Sequence, residues 1–230
     1  HDERLAEVLA MGCWTPVERF GFDGSFEWSA RKLRDDGSAF VVSRDGRDIG
    51  TVEWPLLGDH NVLNGLAALA GCAAVGVDIA AIIPALSAFR SVKRRLETIG
   101  EHGGIAGYDD FAHHPTAIAT TLAGLRAKVG DARIVVAMEP RSNSMRLGAH
   151  ADALAPSLDI ADAVVFLARP ELPWDAGKVV SALKGEGHVV PDAEVLVDTL
   201  RGLARNGDHV VFMSNGGFED APRRFLAALA

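Results

Sequence analysis

Cysteine is scarce in this chain: 230 residues hold two, Cys13 and Cys72, far apart and in no C-x-x-C pair. That excludes a disulfide framework and a thiolate metal site, and it points to a reducing compartment, the cytoplasm. Positive charge is in deficit. With 23 basic against 31 acidic side chains and a formal net charge of −8, a nucleic acid held mainly through its phosphates is not an expected partner, and small ligands fit better. A long apolar run is also missing. The longest uncharged stretch, Asn61 to Val77, is rich in Ala and Gly and falls short of the roughly 20 apolar residues a membrane helix needs. No basic segment followed by an apolar one stands at the start, so no secretory signal is expected. A chain opening on His1 rather than Met reads as a fragment of something longer. What is present is a globular balance: 48% hydrophobic and 23% charged residues, enough for a packed core. The length suggests two units, one of them incomplete.

The texture of the sequence changes near residue 90. Residues 2–11 look helical. Phe20 to Leu33, Ser38 to Ser43 and Asp48 to Leu56 then read as short strands of a small antiparallel meander, punctuated by Asp36-Gly37 and Asp45-Gly46. From Asn61 the apolar positions Leu63, Leu66, Ala70, Ala73 and Val77 recur with helical spacing. Asp78 is placed to cap a second helix, Ile79 to Phe89, which Pro84 should bend or shorten. Beyond Arg90 come continuous apolar runs at Ile105 to Asp109, Arg133 to Met138, Ala163 to Ala168 and Val210 to Met213, mostly separated by helical patterns. Such runs predict an α/β unit with a mostly parallel sheet covered on both faces. Pro115 to Val129, apolar at 118, 122, 125 and 129, reads as one of the covering helices. The expected division is therefore 1–90, a partial α+β piece, and 91–230, a Rossmann-like α/β domain.

In open parallel sheets ligands collect at the carboxyl ends of the strands, where loops and helix N-termini present free backbone N–H groups. Three unusual segments fall there: Asp109-Asp110-Phe111-Ala112-His113-His114-Pro115, Glu139-Pro140-Arg141-Ser142-Asn143-Ser144-Met145-Arg146, and Ser214-Asn215-Gly216-Gly217-Phe218. All three should converge on one rim. Taken alone, Asp109, Asp110, His113 and His114 could serve a metal-dependent hydrolase. Adjacent histidines, however, do not readily aim at one ion, and the plainer reading makes one a helix cap and leaves the other solvated. Arg141 and Arg146 could grip a carboxylate in two-pronged fashion, or be an unpartnered surface pair. The Asn-Gly-Gly of 215–217 permits close backbone approach to a ligand, or marks an ordinary turn. Asn61 and Asn64 are neighbours on one helix face and suit the edge of a purine, or form a polar first turn.

Taken in order, these motifs resemble the Mur ligase family, ATP-dependent amide-forming enzymes of bacterial peptidoglycan synthesis. The likeness runs through Gly58-Asp59-His60-Asn61-Val62-Leu63-Asn64, Val92-Lys93-Arg94-Arg95-Leu96-Glu97, the Asp-Asp-Phe-Ala-His-His-Pro segment and the two later loops. Glu-Pro-Arg-Ser-Asn and Ser-Asn-Gly-Gly-Phe look most like the branch that joins a cell-wall tripeptide to UDP-N-acetylmuramate in recycling. The nearest alternative is the branch that adds L-alanine, where a His-Arg-containing segment usually replaces Pro-Arg-Ser-Asn. The resemblance implies a central ATPase domain whose tail is residues 1–90, and a complete C-terminal domain at 91–230. It further implies that Asn61 and Asn64 meet the adenine of ATP, that Arg95 approaches the phosphates as the catalytic arginine, and that Asp110 binds the ribose. Arg141, Ser142, Asn143, Arg146 and Asn215 would line the tripeptide pocket, with His113 and His114 shaping the turn beside it. No G-x-x-x-x-G-K-[ST] loop is present: the only Gly-Lys pair, Gly177-Lys178, is followed by Val179 and has Leu172 where the first glycine belongs. The Mg²⁺ site of the family is expected outside this chain, and the chain alone is expected to be inactive.

Overall fold

In the computed structural model, residues 3–22, 24–170 and 172–230 are described, and the chain divides into two units, 1–90 and 91–230. The first unit opens with α1 (Glu3–Ala10), none of whose residues is buried. Four strands follow, β1 (Phe20–Gly21), β2 (Trp28–Lys32), β3 (Ala39–Arg44) and β4 (Arg47–Glu53), in the order β1-β2-β3-β4. The expected strand from Phe20 to Leu33 is thus broken in two, and β1 pairs with β2 in parallel, so the sheet is not a pure meander. The interruption contains Gly24-Ser25, residues that favour turns. The β2-β3-β4 part is antiparallel, with Asp45 and Gly46 at φ 49° and 74° making its tight turn.

α2 (Asp59–Ala74) and α3 (Ile79–Ala88) cover this sheet. Trp28, Phe40, Val42, Val52 and Trp54 from the sheet pack with Val62, Leu66 and Leu69 of α2 and with Ile82 and Ile83 of α3. The buried side of α2 is Val62, Gly65, Leu66 and Leu69, turned away from the stripe expected from spacing; Leu63, Ala70 and Ala73 are only partly buried, and Val77 is 45% exposed. Gly65 is the reason. A Cβ there would stand 2.9 Å from the Trp54 ring, so glycine lets the helix settle where an apolar pattern gives no signal. Asp78 caps α3 by accepting from the Ala80 amide at 3.0 Å, and the helix continues past Pro84 to Ala88.

In the second unit β5 (Glu97–His102) and β6 (Ile105–Asp110) form a hairpin, after which strands and helices alternate. They are α4 (Pro115–Val129), β7 (Ile134–Met138), α5 (Asn143–Arg146), α6 (Ala151–Ser157), β8 (Ala163–Leu167), α7 (Ala176–Ser181), β9 (Glu186–Val190), α8 (Ala193–Leu203), β10 (His209–Met213) and α9 (Ala221–Leu229). The sheet order is β5-β6-β10-β7-β8-β9, with β5 antiparallel and every other pairing parallel. The edge strands β5 and β9 were not expected from sequence. β5 also carries a register shift between Thr98 and Gly100.

Alternate residues of the central strands serve two separate cores. Val136, Met138, Val164, Phe166, Val211 and Met213 pack beneath α4, α5, α6 and α7, while Val135, Ala137, Val165, Leu167, Val210 and Phe212 pack beneath α8 and α9. Burial on both faces explains why these strands read as unbroken apolar runs. α4 presents Ile118, Leu122 and Leu125, all fully buried, and β10 lies between β6 and β7. That placement sets the ends of β6, β7 and β10 side by side.

Candidate ligand-binding rim

The three loops singled out in the sequence meet at these strand ends in the second unit. The Ser214 amide donates to the Asp110 carbonyl at 3.1 Å, and the Glu139 amide donates to the Met213 carbonyl at 3.0 Å. The Ser214 hydroxyl donates to Glu139 Oε2 at 2.6 Å, and the Gly216 amide donates back to Ser214 Oγ at 3.0 Å. The rim therefore has a hydrogen-bonded floor before any ligand is considered.

Asp110 is 3% exposed. Its Oδ1 accepts from the Ala112 amide at 2.7 Å and its Oδ2 from the Leu96 amide at 2.6 Å. Burial pushes its carboxyl above the usual carboxylate range, against the pull of those amides and of Arg95. Each carboxylate oxygen has a second lone pair, so capacity for a sugar hydroxyl survives. Burial also raises the carboxyl of Asp109, with the Arg94 guanidinium opposing it. Arg94 Nε lies 3.2 and 3.1 Å from the two Asp109 oxygens. Arg95 is exposed, and its guanidinium carbon is 5.4 Å from the centroid of the Phe111 ring, within cation–π range.

His114 caps α4, its Nδ1 accepting from the Thr116 amide at 3.3 Å, and its ring meets His150 edge-on with centroids 4.5 Å apart. His113 is not simply solvated: it is part-buried, and its Nδ1 lies 3.1 Å from the Phe111 carbonyl. With both aspartates bound to Arg94 or to backbone, and no cluster of three or more His, Cys, Asp or Glu able to hold a metal among the described residues, the hydrolase alternative finds no centre here. Nor do the described residues gather a group of three or more such ligands for Mg²⁺.

The β7–α5 loop carries the expected peptide-side residues. Ser142 caps α5, its Oγ accepting from the Met145 amide at 3.3 Å, while Arg141, Asn143 and Arg146 are exposed. The Arg141 side chain lies over Gly216, where any Cβ would collide with it, so the Asn-Gly-Gly sequence serves close approach of side chain to backbone. Asn215 is part-buried, and its Oδ1 is buried without a hydrogen-bond partner.

Sequence reasoning missed Glu139 and Arg169. Glu139 is 3% exposed and gathers the Ser214 hydroxyl, Arg169 at 3.4 Å and Arg141 at 3.8 Å, while Arg169 also pairs with Glu219. A carboxylate opening the loop after a buried strand was the available signal for Glu139. Arg169, directly after the expected strand Ala163 to Ala168, carried the same kind of signal. In the first unit Asn61 and Asn64 lie in the opening turns of α2. Asn61 Nδ2 donates to the Leu57 carbonyl at 2.7 Å, and Asn64 is exposed.

A doubly covered parallel sheet whose loops converge at adjoining strand ends is the architecture of a ligand-binding α/β domain. Comparison with known proteins makes the class specific. The family described as Mur ligase, glutamate ligase domain, matches residues 94–216, and the chain belongs to the Mur ligase family. The UDP-N-acetylmuramate–L-alanyl-gamma-D-glutamyl-meso-2,6-diaminoheptandioate ligase of Escherichia coli (strain K12) is 46% identical over 231 residues, covering 100% of this chain and 50% of that protein. The UDP-N-acetylmuramate–L-alanine ligase of Roseiflexus sp. (strain RS-1) is 37% identical over 207 residues, 83% of this chain and 44% of that protein. A murein peptide ligase from Psychrobacter arcticus 273-4 shares the fold with a TM-score of 0.74 at 40% identity, over 98% of this chain and 49% of that one. The chain thus spans about half the length of the curated relatives it matches.

Proposed function

We propose that this chain is half of an ATP-dependent ligase that joins UDP-N-acetylmuramate to L-alanyl-γ-D-glutamyl-meso-diaminopimelate in peptidoglycan recycling. The observation that carries the reading is 46% identity along the whole chain to such a ligase, against 37% over a shorter span for an L-alanine ligase. In the proposed reaction ATP phosphorylates the muramate carboxylate, the tripeptide amine attacks the acyl phosphate, and amide, ADP and phosphate result.

The second unit is proposed as the C-terminal domain of the ligase, and the first as part of its central domain. Asp110, with one lone pair free on each oxygen, would accept from the ribose hydroxyls, and Arg95 would neutralise phosphate charge. Asn61 and Asn64 would serve the adenine. Arg141, Ser142, Asn143, Arg146 and Asn215 would hold the tripeptide, whose several carboxylates suit guanidinium forks. His113 and His114 would shape the turn between ribose and peptide and move no proton. ATP is expected to bring Mg²⁺. No helix among the described residues is long and apolar enough to cross a membrane; a cytoplasmic setting, where ATP and UDP-sugars occur, belongs to this proposal.

The test is ATP-dependent amide formation by the complete protein, offered tripeptide and L-alanine in parallel. Turnover of the tripeptide is expected; preference for L-alanine would overturn the assignment. The 230-residue chain alone, without a phosphate-gripping loop, is expected to form no amide.

A further inference from the structure

Arg94 stood out in the sequence only as one of several basic residues, yet in the structure it ties the rim together. Its backbone lies at φ 60°, in the left-handed region that favours glycine. Its Nε donates to both oxygens of Asp109, at 3.2 and 3.1 Å, and its Nη2 donates to the Ser214 carbonyl at 2.5 Å. Its guanidinium carbon is 5.4 Å from the Phe111 ring centroid, the same distance as that of Arg95. The main chain is fastened as well. The Arg94 amide donates to Glu97 Oε2 at 2.8 Å, the Phe111 amide to the Arg94 carbonyl at 2.8 Å, and the Leu96 amide to Asp110 at 2.6 Å.

A non-glycine residue persists in a left-handed conformation when its surroundings over-determine it, and here two strand ends do so. Asp109 closes β6 beside Asp110, and the Ser214 carbonyl follows β10. The guanidinium spans both because its donors point in fixed, diverging directions, which a lysine ammonium cannot reproduce. The acidic pair is therefore divided in its work: Asp109 holds the Arg94 side chain, and Asp110 holds the backbone two residues later.

We propose that Arg94 is a positioning residue which, by clasping the 94–97 turn to the ends of β6 and β10, presets the Phe111 ring and the exposed guanidinium of Arg95 for an anionic phosphate. The phosphate role rests on the ligase reading; the clasp does not. Arg94 touches no reacting atom and acts through Asp109, Ser214 and Phe111.

Two measurements test this on Arg94→Gly, Arg94→Lys and Asp109→Asn. Glycine suits the left-handed backbone, so Arg94→Gly removes the side chain without straining the turn. In the complete ligase, all three variants are expected to lower kcat/KM for ATP, roughly ten- to hundredfold for Arg94→Gly, through a raised KM for ATP with the KM for peptide nearly unchanged. Arg94→Gly/Asp109→Asn should be no worse than Arg94→Gly, because both remove one shared interaction. In the 230-residue chain, Arg94→Gly is expected to speed amide exchange at Leu96 and Phe111 while β7 and β8 stay protected. Unchanged exchange at those two amides, or an equal rise in KM for every substrate, would overturn the proposal. If the unmodified complete protein consumes no ATP, the ligase reading fails and the exchange measurement still decides the clasp.

Discussion

The two units bury their sheets differently. In the second, alternate side chains of β7, β8 and β10 enter separate cores on opposite faces, and β7 and β8 are buried along their whole length. In the first, one core of Trp, Phe and aliphatic residues lies between sheet and helices, while Leu5, Met11 and Trp14 are 64%, 85% and 95% exposed. A sheet covered twice leaves its strand ends as the place where backbone groups stay open to ligands, and there the charged and polar rim residues gather. A sheet covered once invests in aromatic packing, and its candidate ligand groups sit in a helix's opening turns. The candidate ligand groups of the second unit thus depend on strand order, and those of the first on one helix.

The sharpest way to break the contrast is to empty one core. Phe212, fully buried against Phe218 and Phe225, should cost about 3–5 kcal/mol on replacement by alanine. The loss should appear as earlier urea unfolding of the second unit, reported by Trp174, with Trp28 and Trp54 of the first unit unmoved. Simultaneous loss at all three would mean that the cores are not separate. Asp110→Asn comes next. An amide side chain offers one acceptor oxygen where two amides need one each, so about 1–3 kcal/mol should be lost, and amide exchange at Leu96 or Ala112 should quicken. In the first unit Asp78→Ala removes the cap of α3 and should cost about 1 kcal/mol, visible as a lower urea midpoint.

The smallest effect is a difference in acid. Glu27, held at about 2 by the Arg19 side chain, its own backbone and the Arg19 amide, has a folded value below its ordinary 4.5. Its contribution is complete above that ordinary value and is lost as pH falls towards 2. Asp109 and Asp110 are raised by burial, so the cost of their ionisation is relieved as pH falls through their folded values. Acid should therefore weaken the first unit's support while easing the second. Fluorescence of Trp28 and Trp54 that outlasts that of Trp174 on acidification would contradict this.

What sequence revealed follows the same division. The helix at 115–129 and strands β7, β8 and β10 were legible because burial writes a strong pattern: helical spacing in one case, unbroken apolar runs in the other. β5, with Glu97, Gly100, Glu101 and His102, and β9, with Glu186, Gly187 and His188, are edge strands whose charges and glycines hide them. The buried side of α2 was misread because Gly65, the point of closest approach to Trp54, carries no hydrophobic signal. Convergence of the three loops followed from the rule for strand ends. The contact of Arg94 with Ser214 did not, because the last strand is inserted between the second and third strands of the sheet. Chain order conceals that neighbourhood.

The borders of the second sheet have a bearing on how the protein behaves in company. An incoming strand from another molecule would meet carboxylates at Glu97 and Glu101 and a register shift on one side, and Glu186 beside His188 on the other. Neither margin offers a flat, uncharged template for continued pairing. Concentrated preparations of the folded chain are accordingly guarded against growing into fibrils through this sheet.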